Sequence, residues 1–183
     1  MRVISGMARG HKLLAPEGMD TRPTTDRIKE TLFNIIAPDL PQSRFLDLFS
    51  GSGAIGIEAL SRGAQKAVFV DESSKCREII EHNLKHTKLI DNADLYCMDA
   101  VSAINMLGTK GEKFDIIFLD PPYNMGFYEP VIIAIKNSGI LDKEGYIIAE
   151  RSPKVSIHEI EGITILREKE YKTTVMTFMA LED

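Results

Sequence analysis

The stretch Phe114–Tyr123, FDIIFLDPPY, decides the fold because it predicts a buried strand that stops abruptly on an acid, two prolines and an aromatic residue. Its apolar residues 116–119 are consecutive, a pattern typical of a central parallel strand that is covered on both faces. The tandem prolines end the strand, since neither can donate a ladder hydrogen bond. Ligands of open α/β sheets bind beyond the carboxyl ends of the strands. We therefore predict that Asp120 and Tyr123 lie at a catalytic site.

Predicted strands and helices alternate on both sides of this stretch. The predicted strands are Phe45–Phe49, Ala67–Asp71, Ala93–Cys97, Phe114–Leu119 and Tyr146–Glu150. The predicted helices are Ala54–Arg62, Ser74–Lys88, Val101–Leu107 and Tyr128–Asn137. This alternation indicates an α/β fold with βαβ units and a mostly parallel sheet. Near the end, Ile163–Leu166 and Thr174–Met179 are separated by a charged turn and no helix, so we expect an antiparallel C-terminal hairpin.

The first 43 residues lie outside that alternation. Two short apolar segments in Met1–Pro16 flank a turn rich in glycine and basic residues, which predicts a short N-terminal β-hairpin arm. Apolar residues then recur at helical spacing over residues 28–36, with Thr24 or Thr25 as the N-cap. We expect a single domain made of the arm (1–20), a polar segment with the helix (21–43) and a catalytic α/β core (44–183).

Charge and composition limit the class of protein. The 183 residues carry a net charge of −5, which argues against a surface that binds nucleic acid throughout. Residues 1–15 carry +3 and no acid, so the rest carries −8, and a local phosphate-binding patch on the arm is compatible with this distribution. No apolar run approaches the ~18–20 residues of a membrane span and the N-terminus lacks the apolar region of a signal peptide, so we expect a cytoplasmic protein. We also expect a monomer. Cys76 and Cys97 lack a CxxC or histidine partner, which predicts two small core residues and neither a disulfide nor a metal site.

The segment Asp47–Gly56, DLFSGSGAIG, lies between the first core strand and its helix. Glycines there let the backbone turn sharply and approach a ligand closely. Asp71 follows Gly51 by 20 residues at the end of the next strand, the spacing of an acid that binds a ribose hydroxyl. A nicotinamide dinucleotide would fit this pattern nearly as well as S-adenosylmethionine. Asp47 favours S-adenosylmethionine, because a carboxylate near the loop suits a cationic ammonium and sulfonium better than a pyrophosphate.

Asp99 follows the third predicted strand and has two interpretations of equal weight. Its carboxylate accepts a hydrogen bond from the amino group of an adenine, or it caps the helix that follows. The residues that these patterns predict to bind the cofactor are Asp47, Ser50, Gly51, Gly53, Asp71, Asp99 and Ala100.

The loop after the Phe114–Leu119 strand has the chemistry to activate an exocyclic amino group of a purine. That nitrogen is a poor nucleophile because its lone pair is delocalised into the ring. If the Asp120 carboxylate and the Pro121 carbonyl each accept one N–H, the lone pair is aimed at a methyl group, and the rigid Pro121 and Pro122 hold the acceptors still. Tyr123 would stack on the base, worth roughly 1–3 kcal/mol. The proton leaves to Asp120 or to water, and no metal is required.

The combination of Asp120–Tyr123 with the glycine segment resembles the amino-methyltransferases among the class I S-adenosylmethionine enzymes, whose fold is Rossmann-like. The segments Arg22–Arg27 (RPTTDR), Glu30–Asn34 (ETLFN) and Arg2–Gly10 (RVISGMARG) closely resemble the RsmD family of 16S rRNA guanine-N2 methyltransferases. This resemblance covers nearly the whole chain. It implies guanine 966 of 16S rRNA, in a small-subunit ribosomal particle, as the target. It also implies that Arg22–Arg27 touches the cofactor or the RNA.

The resemblance and the charged arm complete the list of candidate site residues. Thr25 joins the cofactor-binding residues. The predicted RNA-binding residues are Arg2, Arg9, Lys12, Arg22 and Arg27. One segment departs from the family pattern, because Glu150-Arg151-Ser152 has an arginine where acidic or serine-rich residues are common, and no role is assigned to it.

Three other functions are weighed against this one. A DNA adenine-N6 methyltransferase would share the chemistry of Asp120, but such enzymes usually carry an extra target-recognition region, for which few residues remain. A dehydrogenase would need a hydride-handling site, and the four histidines form no recognisable pattern. A nucleotide-binding or RNA-binding module without catalysis is disfavoured by the intact Asp120 and glycine segment.

Overall fold

In a computed structural model of the chain, residues 1–17, 25–122 and 125–182 are described. They group into two compact units, Met1–Met98 and Asp99–Asp183. Within the described segments, no helix combines the length and the apolar character needed to cross a bilayer. The expectation of one methyltransferase domain stays a prediction.

The first unit contains parallel strands joined by helices. Its strands are β1 (Arg44–Leu48), β2 (Lys66–Asp71) and β3 (Ala93–Cys97), and its helices are α1 (Asp26–Ile36), α2 (Ala54–Ser61) and α3 (Ser74–His86). β2 lies between β1 and β3 and pairs in parallel with both. Parallel strands need long crossover connections, which α2 and α3 supply. Consecutive residues of β1 and β2 are buried, as expected for strands covered on both faces.

The second unit combines a parallel and an antiparallel part. Its strands are β4 (Phe114–Leu119), β5 (Leu141–Arg151), β6 (Ile163–Glu170) and β7 (Val175–Leu181), and its helices are α4 (Ala100–Thr109) and α5 (Tyr128–Ser138). β4 and β5 are parallel, whereas β7 lies between β5 and β6 and is antiparallel to both. The predicted α/β fold with mostly parallel strands and an antiparallel C-terminal hairpin is therefore confirmed.

Several strand boundaries differ from the prediction, and two of them have clear local reasons. β1 ends at Leu48, because Phe49 already has a φ of +59° and begins the turn of the glycine segment. β5 starts at Leu141 rather than at residue 146, because an irregularity in its pairing with β4 lets Leu141 pair with Phe114. Gly145 is required in this irregular stretch, since a Cβ there would lie 2.8 Å from the Asp115 carbonyl oxygen.

The N-terminal arm is confirmed as an antiparallel hairpin, with a single bridge between Arg2 and Lys12. The Val3 amide donates to the His11 carbonyl at 2.9 Å, and the Gly10 amide donates to the Val3 carbonyl at 2.9 Å. The helix after it begins as predicted, since the Thr25 hydroxyl accepts from the Ile28 amide at 3.3 Å.

The two cysteines have different surroundings. Cys76 is fully buried on α3, as predicted. Cys97 is exposed, so the prediction of a second core residue is wrong. The physical reason is its place as the last residue of β3, whose other residues are only half-buried.

Candidate functional site

The glycine segment turns from β1 into α2 through left-handed backbone. Gly51 and Gly53 have φ values of +57° and +77°, which favour glycine. Among the described residues, nothing lies within 4 Å of the place that a Cβ on Gly51 would take, so a ligand can approach this backbone. Gly56 serves packing instead, because a Cβ there would lie 2.4 Å from the Phe69 ring.

Ser50 holds the glycine segment against β2. Its hydroxyl donates to the Asp47 carbonyl at 2.6 Å and accepts from the Val70 amide at 3.0 Å. Its own amide donates to the Val70 carbonyl at 3.0 Å. The side chain is buried, so Ser50 shapes the loop, and its contact with a cofactor stays a prediction.

Asp71 links the end of β2 to the glycine segment. One carboxylate oxygen accepts from the Gly51 amide at 2.9 Å, and the other accepts from the Ser73 amide at 2.9 Å. A carboxylate offers about four lone-pair sites. Two further acceptor positions are therefore available in principle for ribose hydroxyls.

Asp47 is a buried acid directly beneath the glycine segment. Asp47 is only 1% exposed, and its carboxylate accepts from the Gly56 amide at 3.0 Å. Burial raises the pKa of Asp47 well above its usual value; the Gly56 hydrogen bond opposes this shift, and the nearby Asp71 charge adds to it. A cation bound at the loop would favour the ionised carboxylate.

Asp120 is half-buried at the end of the fully buried apolar run of β4. Pro121 after it is buried and Pro122 is exposed, while Tyr123 lies outside the described residues. The chain re-enters regular structure at Tyr128, whose hydroxyl donates to the Glu150 carbonyl at 2.7 Å. Asp120 thus directly follows β4, and Tyr128 is tied to β5. Sequence reasoning missed Tyr128, whose signal was a tyrosine hydroxyl in an apolar helix, where it needs a partner.

Asp99 caps α4, which confirms one of its two interpretations. Its carboxylate accepts from the Ser102 amide at 2.9 Å, and the hydrogen bonds to Ser102 lower the pKa of Asp99. Asp99 is exposed and the adjacent Ala100 is buried. A contact of either residue with an adenine stays a prediction.

Arg151, left without a role from the sequence, ties three segments of the second unit together. Its guanidinium donates to the Thr177 hydroxyl at 3.1 Å, the Val155 carbonyl at 2.6 Å and the Glu168 carboxylate at 2.7 Å. The hydrogen bond from Arg151 lowers the pKa of Glu168. The arginine therefore stabilises the edge formed by β5, β7 and β6.

The predicted RNA-binding residues that the structure describes are all exposed: Arg2, Arg9, Lys12 and Arg27. Arg2 also forms an ion pair with Asp26 at 3.2 Å. Arg22 lies outside the described residues. Thr25 is exposed and caps α1, and its contact with the cofactor stays a prediction.

A buried charged cluster that the sequence did not reveal holds the arm on α2. The Glu58 carboxylate is fully buried and accepts from the amides of Ile4 at 2.9 Å and Ser5 at 3.0 Å. It also pairs with Lys29 at 3.4 Å and Arg62 at 2.9 Å. Burial lowers the pKa of Lys29, and Glu58 opposes that shift. The available signal was a glutamate inside the apolar helix AIGIEALS.

Ser61 fastens the turn of the same arm. Its hydroxyl donates to the Ser5 carbonyl at 2.6 Å and accepts from the Ala8 amide at 2.9 Å, and its carbonyl accepts from the Met7 amide at 2.8 Å. A Cβ at Gly6 would lie only 1.9 Å from the Ser61 carbonyl oxygen. The contact between arm and α2 thus requires glycine at position 6.

Three histidines that formed no pattern in the sequence come together in the first unit. The His86 ring lies 5.2 Å from His11 and 6.3 Å from His82, measured between centroids. Across the described part of the chain, no group of three histidine, cysteine or acidic residues is placed to hold a metal ion.

Residues 1–180 match a family model described as Conserved hypothetical protein 95. A Bacillus subtilis protein described as the rRNA methyltransferase YlbH is 41% identical over 93% of this chain and 92% of its own length. The Ribosomal RNA small subunit methyltransferase D of Escherichia coli is 39% identical over 82% of this chain and 74% of its own length.

Solved structures show the same fold. An Escherichia coli protein described as the methyltransferase yhhF superposes with a TM-score of 0.86 at 31% identity, covering 100% of this chain and 98% of that one. A more distant structure, SMU.776, described as a methyltransferase complexed with SAH, has a TM-score of 0.66 at 18% identity, covering 80% of this chain and 48% of that one. At that identity the likeness shows the fold alone.

Proposed function

This chain belongs to the Conserved hypothetical protein 95 family, the RsmD family, and on that premise we propose that it methylates the exocyclic N2 of guanine 966 in 16S rRNA. Its relatives at 39–41% identity make it an rRNA methyltransferase. We assign S-adenosylmethionine to it as the methyl donor. The observation that carries the proposed chemistry on an exocyclic amino group is the half-buried Asp120 at the end of β4, followed by two prolines. The choice of guanine 966 rests on the resemblance to the RsmD family. The relatives do not favour the alternative of a DNA adenine-N6 methyltransferase.

The glycine segment fits this cofactor. S-adenosylmethionine supplies an electrophilic methyl group on a sulfonium centre. The open space beside Gly51 admits a ligand to the backbone, and Asp71 has acceptor positions for ribose hydroxyls. The buried Asp47 adds a negative charge that a cationic ligand stabilises. A pyrophosphate would instead meet this charge unfavourably, which agrees with the choice made from the sequence.

Asp120–Tyr123, the proline segment, supplies the groups that act on the target base. The Asp120 carboxylate and the Pro121 carbonyl accept the two N–H groups of the guanine amino nitrogen and orient its lone pair. Pro121 is buried, so its carbonyl belongs to a segment with little freedom to move, and acceptors held in this way cost no reorganisation during the reaction. Tyr123 stacks on the base. After methyl transfer, Asp120 or water takes the proton.

The arm and α1 supply the contacts to RNA. Arg2, Arg9, Lys12 and Arg27 are exposed, and the arm carries a local positive charge on an otherwise acidic chain. Such contacts to phosphates raise affinity without reading the sequence. A guanine that is stacked or paired in its particle would have to be extruded, at a cost of a few kcal/mol.

Label transfer tests this proposal. The protein is incubated with S-adenosylmethionine carrying a labelled methyl group and with unmodified small-subunit particles, free 16S rRNA or duplex DNA. We expect label in RNA, in particles more than in free rRNA, and none in DNA. Label in DNA adenine, or none in either form of RNA, would contradict the proposal.

A further inference from the structure

Asn83, in the middle of α3, binds two segments at once with a side chain that is fully buried. Its amide oxygen accepts from the Leu14 amide at 2.9 Å, and its amide nitrogen donates to the Leu14 carbonyl at 3.0 Å and to the Ser52 carbonyl at 2.9 Å. Leu14 belongs to the arm and Ser52 to the glycine segment. We propose that Asn83 is a positioning residue that joins the arm to the glycine segment, so that cofactor binding and arm position are linked.

The hydrogen bonds of Asn83 use both of its donors. A side-chain amide has two N–H donors and one oxygen with two lone pairs. Both N–H groups are taken, one by the arm and one by the glycine segment, and the oxygen accepts from the arm. Leu14 is bound through both its amide and its carbonyl, as it would be by a neighbouring strand. A shift of either segment therefore breaks a buried hydrogen bond and leaves a polar group unpaired.

The position of Ser52 makes the contact relevant to the cofactor. Ser52 lies between Gly51, which faces open space, and Gly53, which caps α2. The hydrogen bond from Asn83 sets the orientation of the peptide that joins Ser52 to Gly53, and hence the shape of the surface offered to a ligand. The arm also contacts Ser52 directly, because the Ser52 hydroxyl donates to the sulfur of Met1 at 3.1 Å.

The linkage follows from shared contacts. If the cofactor binds the glycine segment in the shape that Asn83 holds, it strengthens the attachment of the arm, and by reciprocity an attached arm strengthens cofactor binding. Arg9 and Lys12 on the arm are the proposed RNA contacts, so occupancy of the cofactor site would prepare the RNA-binding surface. This last step rests on the proposed function, whereas the link between arm and glycine segment does not.

Two variants separate the arm side of the link from the loop side. Asn83→Asp keeps the shape but removes both N–H donors and points an oxygen at the carbonyls of Leu14 and Ser52. Leu14→Pro removes the arm's N–H and places a ring carbon against the Asn83 oxygen, so it breaks the arm side of the link, while the Asn83 N–H that binds Ser52 is kept. Asn105→Asp, at an exposed position of α4, is the matched control.

The readouts are the affinity for S-adenosylhomocysteine by calorimetry and the hydrogen exchange of the Val3, Gly10 and Leu13 amides. In the unmodified protein, S-adenosylhomocysteine should slow exchange of these amides. Asn83→Asp should weaken its binding roughly tenfold, and Leu14→Pro a fewfold, because one buried hydrogen bond is worth about that much. Both should abolish the slowing of exchange that S-adenosylhomocysteine causes at these amides, and Asn105→Asp should change neither the affinity nor this slowing.

Two results would overturn the inference. One is that the arm amides of the parent protein exchange at the same rate with and without bound S-adenosylhomocysteine. The other is that Leu14→Pro binds S-adenosylhomocysteine with full affinity although its arm amides exchange faster. If Asn83→Asp does not fold, as thermal unfolding would reveal, Leu14→Pro carries the test alone. If S-adenosylhomocysteine slows exchange of the arm amides but the protein methylates no RNA, the proposed function is refuted and this inference stands.

Discussion

The glycine segment and the residues directly after β4, Asp120–Pro122, are held by different means. In the first unit, hydrogen bonds between residues distant in sequence hold the backbone of the glycine segment. Asp71 accepts from Gly51, Ser50 accepts from Val70 of β2, and Asn83 donates to Ser52. In the second unit, Asp120 directly follows β4 and precedes two prolines, and further along the chain the Tyr128 hydroxyl donates to Glu150 of β5. We infer that the conformation of the glycine segment depends on hydrogen bonds that a ligand can strengthen. The conformation of Asp120–Pro122 depends instead on the restricted backbone of the two prolines, which needs no ligand.

The largest expected effect is a loss of methyl transfer without a loss of cofactor affinity, when Asp120 is changed. Asp120→Ala should reduce methyl transfer by roughly 10²-fold or more, because one of two acceptors for the amino group is lost. Affinity for S-adenosylhomocysteine should stay nearly unchanged, since the cofactor is assigned to the glycine segment. Single-turnover rates and calorimetry measure the two quantities, with the exposed Asp91→Ala as the control. Full activity in the Asp120 variant would remove its role in orienting the base.

Asp71→Ala should have the opposite pattern. The variant frees the Gly51 and Ser73 amides and removes the acceptors proposed for the ribose, so cofactor affinity should fall about 10- to 100-fold. The rate at saturating cofactor should fall much less. Titration with S-adenosylhomocysteine and rates at several cofactor concentrations test this. A large loss of rate at saturation with unchanged affinity would be the contrary outcome.

Asp47→Asn should affect stability and binding in opposite directions. Burial raises the pKa of Asp47, so the folded protein holds this proton more tightly than the unfolded chain, and the group's contribution to stability falls as pH rises above about 4, the unfolded value. An asparagine can still accept from Gly56 and has no charge to bury. Its melting temperature should therefore exceed that of the parent protein at pH 7, with a difference that shrinks toward pH 4.

The same Asp47→Asn variant should bind S-adenosylmethionine about tenfold more weakly at pH 7, since a charged partner is lost. In the parent protein, affinity should decrease as pH falls and Asp47 is protonated, and the variant should lack this dependence. Melting curves and calorimetry at several pH values provide the data. Equal affinity and an equal pH profile in the two proteins would exclude a charge interaction with the cofactor.

The smallest effect concerns the arm. Neutralising Arg2, Arg9 and Lys12 to glutamine should reduce the slope of log affinity against log salt by roughly 2, since each contact to single-stranded RNA contributes about 0.7. Arg2 should contribute least, because it must give up its ion pair with Asp26. Binding to 16S rRNA across a salt series measures this, and Lys143→Gln, in an exposed position of β5, is the control. An unchanged slope would exclude the arm from the interface.

The sequence predicted those features that are local or that depend on spacing. The consecutive apolar residues of β4 and the two prolines indicated a strand end. The 20 residues from Gly51 to Asp71 indicated an acid at the end of β2, and the structure places its carboxylate against the Gly51 amide, while its contact with a ribose stays a prediction. Each of these patterns arises within one strand–helix–strand unit. The exposed Cys97 shows the limit of composition, since a cysteine at a strand end is not buried merely because cysteine usually is.

The contacts that hold the arm could not be predicted from the sequence. Glu58 binds Ile4 and Ser5 across 54 and 53 residues, and Asn83 binds Leu14 across 69. No periodicity encodes such pairs, because a buried polar residue shows only that it needs a partner and not which one it finds. Arg151 is similar, since its departure from the family pattern was visible but its partners on β6 and β7 were not.

The most direct test of the account is the position of the methyl group. Unmodified small-subunit particles are treated with the protein and S-adenosylmethionine, the 16S rRNA is digested with a base-specific nuclease, and the fragments are sequenced by mass spectrometry. We expect a single added methyl group on N2 of guanine 966, and none when Asp120→Ala replaces the parent protein. A methyl group on another nucleotide or another atom of that guanine, or equal methylation by the Asp120 variant, would contradict the account.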